Sequence, residues 1–356
     1  MSDSDKKSLH INKGTEQNDS VNPNFRAKKI SLKSVQDYVQ GIRSGNRAML
    51  SQAITLIESS KSEYREVGQE ILEAVLPLTG NSIRVGITGV PGVGKSTIIE
   101  AIGKLLIDRN YKIAVLTIDP SSTKSKGSIL GDKTRMPFLS THDHAFIRPS
   151  PTSGTLGGVA QKTRETLLLC EAAGYDTIFI ETVGVGQSET SVHSMVDMFL
   201  LLMLAGAGDE LQGIKRGIME MADLIAINKA ESDNEPAAER AKREYENALS
   251  LFPKSESGYR TKVLTCSALN NVGIDEIWKE IEDFIDHSKS IGYFDSNRKN
   301  QSLYWLHESV QRELKSAFYN NEKINRKLET IEESVKKGTL SPTKASKLLL
   351  DIHSKK

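Results

Sequence analysis

The sequence predicts an α/β fold: a mainly parallel sheet covered by helices on both faces, with a helical cap before it and a helical arm after it. Three observations carry that expectation. Residues 82–106 read as a buried strand, a glycine-rich loop and a helix in direct succession. Further apolar runs of strand length then alternate with helical patterns as far as residue 288, and that alternation implies parallel strands joined by crossovers. The two flanks carry helical periodicity alone.

Taken in order, residues 1–30 are polar, lack the apolar core of a signal peptide and read as a disordered leader. Asp3, Asp5, Glu16 and Asp19, with no arginine before Arg26, argue against a transit peptide. Residues 31–80 form the cap. One stripe is Val35, Tyr38, Val39 and Ile42, a second Met49, Leu50, Ala53, Ile54 and Ile57, and a third Ile71, Leu72, Val75 and Leu76. Gly45-Asn46 separates the first two, and Thr79-Gly80-Asn81 ends the region.

Residues 81–290 are expected to be the α/β domain. Strands are read at 82–88, 112–119, 145–148, 177–181, 198–204, 224–228 and 262–266. Helices are read after the glycine loop (Ile98, Ile99, Ile102, Leu105, Leu106) and at 160–173, 211–221, 235–251 and 274–288. Residues 291–356 form the arm, with stripes at Leu303, Leu306, Val310, Leu314 and Phe318 and at Ile324, Leu328, Ile331 and Val335. Gly338 and Pro342 break it before a last short helix. Such an arm packs either on its own domain or on another copy of itself.

Composition narrows the function. Lys and Arg total 47 against 46 Asp and Glu, a formal charge of +1, which offers no electrostatic footprint for nucleic acid or a membrane surface. The two cysteines, Cys170 and Cys266, sit among apolar residues and point to a reducing compartment. No run approaches the roughly 18 apolar residues that a membrane span needs. A cytoplasmic protein is expected.

The loop itself is Gly89-Val90-Pro91-Gly92-Val93-Gly94-Lys95-Ser96-Thr97, the G-x-x-x-x-G-K-S/T pattern of a phosphate-cradling P-loop. Its glycines let successive N–H groups converge on phosphate oxygens. Lys95 would reach the β- and γ-phosphates, the Ser96 hydroxyl would ligate Mg²⁺, and the following helix would aim its positive end at the same anion. The fold is therefore a P-loop NTPase.

Ligands of such sheets lie outside the C-terminal ends of the strands, and Asp119, Glu181 and Asn228 fall at three of these ends. Glu181-Thr182-Val183-Gly184 stands where a G protein has D-x-x-G, so Glu181 is a candidate Mg²⁺ partner through water. Asp119 and Asp132 are two others, although loop capping explains them too, and Mg²⁺ takes few direct carboxylates. Asn228-Lys229-Ala230-Glu231 resembles N-K-x-D, in which a carboxylate accepts both N–H donors of guanine. Here Glu231 is one methylene longer than Asp. Ser267-Ala268-Leu269, after Cys266, resembles the second base-contacting loop of the same proteins. Together these favour GTP over ATP. The segment from Asp209 to Lys215, in Gly206-Ala207-Gly208-Asp209-Glu210-Leu211-Gln212-Gly213-Ile214-Lys215, suits a nucleotide-sensing switch, and a helix cap at Asp209 explains part of it equally well. Gln187 is a candidate by position for orienting the attacking water. His142-Asp143-His144 reads as a solvated turn rather than a metal site.

Taken with Asp119-Pro120-Ser121-Ser122, Gly131-Asp132-Lys133-Thr134-Arg135-Met136, Arg148-Pro149-Ser150-Pro151, Gly154-Thr155-Leu156-Gly157-Gly158 and Glu181 to Glu189, these strings closely resemble the MeaB/ArgK-type P-loop GTPases, the family of the methylmalonic aciduria type A protein. The resemblance covers about residues 32–286. It implies a GTP- and Mg²⁺-dependent chaperone of an adenosylcobalamin-dependent acyl-CoA mutase, above all methylmalonyl-CoA mutase, with slow intrinsic hydrolysis and a homodimer formed through helical extensions. It places Asp119, Asp132 and Glu181 in the Mg²⁺ and switch region, and makes Asp209 to Lys215 the relay to the mutase. Rival readings are an ATPase or kinase linked to arginine/ornithine import, a nickel-insertion GTPase, whose Cys/His cluster this chain lacks, and a non-catalytic nucleotide-dependent scaffold.

Overall fold

Seven strands form one sheet: β1 (Ile83–Gly89), β2 (Ile113–Ile118), β3 (Ala145–Pro149), β4 (Thr177–Thr182), β5 (Met198–Leu204), β6 (Leu224–Asn228) and β7 (Lys262–Thr265). Their order is β3-β2-β4-β1-β5-β6-β7, and every registered pair is parallel. The structure, a computed structural model, describes residues 32–118, 134–149, 156–182, 188–206, 216–253 and 255–354. Strands β2, β4 and β6 are buried at every position, which is why they read as unbroken apolar runs: a parallel sheet is covered on both faces.

Side chains alternate between two cores. On one face Ala114 and Leu116 of β2, Ile178 and Ile180 of β4 and Phe199 and Leu201 of β5 pack with the cap. On the other, Ile113, Val115, Phe179, Leu200 and Leu202 pack under α4 (Lys95–Asp108) and α10 (Ile274–Ser290). The period of two in each strand assigns the faces.

The cap consists of α1 (Val35–Arg43), α2 (Arg47–Glu58) and α3 (Ser62–Val75). Asn46 starts α2 by accepting from the N–H groups of Ala48 and Met49 at 3.0 and 3.1 Å, a side-chain N-cap. The cap lies against α6 (Leu156–Ala172). That helix begins before the expected residue 160: Gly157 and Gly158 sit in its first turn and hide the start from a periodicity reading. The remaining helices among the described residues are α5 (Pro137–Thr141), α7 (Ser188–His193), α8 (Arg216–Met221), α9 (Glu235–Leu249), α11 (Tyr293–Tyr319), α12 (Glu322–Lys336) and α13 (Pro342–Ser354).

At the N-terminal end of the sheet a buried ionic network seats the arm. Arg84 of β1 holds Glu171 of α6 through two bonds of 2.8 and 2.9 Å. Arg298 of α11 grips both oxygens of Asp197 at 2.7 and 2.6 Å and donates to the Gly80 and Ser82 carbonyls. Trp305 follows, buried, with its indole N–H on the Ser194 carbonyl at 3.0 Å. Beyond that anchor the predicted stripe of Leu306, Val310 and Leu314 is exposed, as is Leu303 beside it. The described residues from Val35 onward form one compact unit, and none of their helices is long and apolar enough to cross a membrane.

Candidate functional site

The loop between β1 and α4 occupies the crevice beyond the strand ends, with β4 and β5 on either side of β1. Its backbone demands glycine at particular points. Gly89, Gly92 and Gly94 have φ of 149°, 77° and 99°. A Cβ on Gly89 would lie 2.5 Å from the Leu202 carbonyl oxygen, and one on Gly94 would lie 2.5 Å from Nδ2 of Asn228. The strand–loop–helix arrangement that gives the motif its meaning is present.

Lys95 opens α4 and is buried. Its Nζ donates to the carbonyls of Gly89 and Val90 at 2.8 and 3.2 Å, so the ammonium lies over the mouth of the loop. Burial draws it below the ordinary lysine value, opposed by the Glu181 carboxylate. Next to it, Ser96 Oγ donates to Oε1 and Oε2 of Glu181 at 3.1 and 3.3 Å. A hydroxyl and a carboxylate converging beside the phosphate loop are a hard oxygen donor set, the kind Mg²⁺ takes. Thr88 and Thr182 bridge the ends of β1 and β4 through their hydroxyls at 2.9 Å.

The base-side residues converge from three segments. Asn228, buried at the end of β6, donates from Nδ2 to the Val93 carbonyl at 2.8 Å. Its Oδ1 accepts from Ala268 N–H at 3.0 Å and from Cys266 Sγ at 3.6 Å. Glu231 accepts from the Ser267 hydroxyl, which accepts in turn from Asn270 N–H at 3.2 Å. Lys229 stands in the left-handed region at φ 62° and is exposed, and Leu269 is also exposed. The structure thus brings together Gly89 to Thr97, Glu181, Asn228, Lys229, Glu231, Ser267, Ala268 and Leu269. Asp119, Asp132, Gln187, Asp209 and Lys215 lie outside the described residues.

Two residues without an assigned role in the sequence reading belong to this neighbourhood. Glu189, in the first turn of α7, is wholly buried, and its charge acts on Lys95. The sequence offered only a second glutamate eight positions after the first as a signal. Cys266 directly precedes the base loop, and its contact with Asn228 spans a separation no local pattern reveals.

A family model described as methylmalonyl Co-A mutase-associated GTPase MeaB matches residues 50–323. The chain belongs to this MeaB family of GTPases. Among MeaB relatives, the GTPase ArgK of Escherichia coli is 47% identical over 313 residues, covering 88% of this chain and 95% of its own. The mouse methylmalonic aciduria type A homolog, mitochondrial, is 45% identical over 320 residues, covering 87% and 77%. A solved structure titled LAO/AO transport system kinase superposes with a TM-score of 0.72 at 40% identity, over 90% of this chain and 99% of that one. The fold and the GTPase assignment of this MeaB chain agree with the expectation of a P-loop GTPase.

Proposed function

We propose that this GTPase serves as a nucleotide-dependent chaperone of an adenosylcobalamin-dependent acyl-CoA mutase, methylmalonyl-CoA mutase first among them, admitting intact cofactor and refusing damaged forms. The observation that carries the partner is the family match over residues 50–323, and the name of the mouse relative points to the same metabolism. The nucleotide half of the reading is supported by the meeting of phosphate loop and base loop at Asn228.

In this reading the N–H groups of the loop cradle the phosphates, and Lys95 exchanges the Gly89 and Val90 carbonyls for β- and γ-phosphate oxygens. Ser96 and Glu181 would hold Mg²⁺, with Asp119 and Asp132 as further carboxylates, and the ion would supply positive charge beside the γ-phosphate. Water attacks in line, with Gln187 placed by sequence to orient it. Asn228, Lys229, Glu231 and the 267–269 loop receive guanine. The Asp209 to Lys215 segment, which follows β5 in sequence, relays nucleotide state to the mutase. The exposed stripe of Leu303, Leu306, Val310 and Leu314 supports a homodimer formed through the arm, in a cytoplasmic protein.

The test is co-purification. Tagged protein loaded with a non-hydrolysable GTP analogue should retain a cobalamin-dependent mutase from extract and release it with GDP. Absence of any such mutase in both nucleotide states removes the chaperone reading. The relative titled for a transport system raises a second reading, nucleotide turnover linked to amino-acid import, which equal use of ATP and GTP would favour.

A further inference from the structure

Cys266 occupies the hinge between the two halves of the nucleotide site. Its backbone is pinned on both sides: its N–H donates to the Ile227 carbonyl and its carbonyl accepts from Ala230 N–H, each at 2.9 Å. Behind it, a Cβ on Gly273 would lie 3.2 Å from both Cα and Cβ of Cys266. The side chain has no exposure, and its Sγ lies 3.6 Å from Oδ1 of Asn228.

Asn228 has one satisfactory amide orientation. Nδ2 must face the Val93 carbonyl, an acceptor, and Oδ1 must face the Ala268 N–H, a donor. Oδ1 has a second lone pair, and the only group placed on it among the described residues is the Cys266 thiol. Burial and the Glu231 charge push that thiol up to about 12, so it keeps its proton at neutral pH and remains a donor. A thiolate there would face an oxygen with nothing to give it.

We propose that Cys266 is a positioning residue of the nucleotide site: its S–H completes the bonding of Asn228 and so locks the strut that joins the phosphate loop, through Val93, to the base loop, through Ala268. The strut slows nucleotide release. The other cysteine, Cys170, is equally buried but lies in the opposite core, among α6 and cap residues, and supplies a control for cavity formation alone. The inference rests on the nucleotide site described above.

The experiment measures release of a fluorescent GDP analogue, mant-GDP, from the full-length protein by chase with excess GDP. Cys266→Ala should speed release about threefold, the lower part of the range for a hydrogen bond because a thiol is a weak donor. Cys266→Ser, which keeps a donor, should stay within about twofold of wild type, and Cys170→Ala should not change release. Thermal unfolding of each variant with and without GDP shows that the comparison is among folded proteins. Release from Cys266→Ala at the wild-type rate overturns the proposal. So does release from Cys266→Ser as fast as from Cys266→Ala, or acceleration by Cys170→Ala to the same degree, since either makes packing the whole effect. A wild-type chain that binds no mant-GDP overturns the nucleotide site as well, and that outcome is seen before any variant is compared.

Discussion

Replacing Gly94 by alanine tests the phosphate loop at its most constrained point. Two costs can be read from the structure. At φ 99° a side-chain-bearing residue pays for a left-handed backbone, about 1–2 kcal/mol. Its Cβ would also lie 2.5 Å from Nδ2 of Asn228, which must withdraw and lose its bond to Val93, about 1 kcal/mol net. The sum, about 2–3 kcal/mol, corresponds to a roughly 30- to 150-fold weaker GDP complex if the bound state requires this loop. Gly92→Ala is the internal control. Its φ is 77°, but a Cβ there meets no atom within 4 Å, so it should bind about fivefold more tightly than Gly94→Ala. Titration calorimetry of both variants with GDP decides the matter. Affinity of Gly94→Ala equal to that of Gly92→Ala would refute the claim that Asn228 braces the loop.

Three further outcomes follow from other parts of the molecule. Lys95→Ala should abolish tight GTP binding, because its Nζ is the cation at the loop mouth; unchanged affinity by filter binding would sink the phosphate-site assignment. Arg298→Ala should lower stability by about 3 kcal/mol in urea titration, since it leaves the buried Asp197 carboxylate with the Arg84 backbone N–H as its only partner among the described residues; a shift below about 0.5 kcal/mol would show that the arm is not anchored there. Burial pushes Asp223 up to about 7, partly offset by the Phe199 N–H. The native chain therefore holds a proton that the unfolded chain releases near pH 4, and this group's contribution to stability is full at low pH and lost as pH rises towards 7. Asp223→Asn should gain on wild type in urea midpoint from pH 5 to 8, and a constant difference over that range would contradict the assignment.

The strands were legible because a parallel sheet buried on both faces writes itself as uninterrupted apolar runs. Even β3, the edge strand and the shortest of those read from the sequence, falls within a residue of its expected bounds. The phosphate loop was legible because its chemistry is local: Gly89 to Ser96 carry their spacing in one stretch. What stayed hidden was contact between distant segments. Asn228 read as a base reader, yet its buried amide ties Val93 to Ala268, and no periodicity relates positions 93, 228 and 266. The Arg84–Glu171 and Arg298–Asp197 pairs were invisible for the same reason, since charged residues inside strand and helix patterns read as surface. The arm showed its apolar stripe but not its division at Trp305, where packing on the domain gives way to an exposed face.

The most direct test of the central claim is competition between nucleotides for the wild-type site. If Asn228, Glu231 and the Ser267 to Leu269 loop form a guanine pocket joined to the phosphate loop, GTP should displace bound mant-GDP at micromolar concentration while ATP at about a hundredfold excess does not. Equal displacement by ATP would contradict the account.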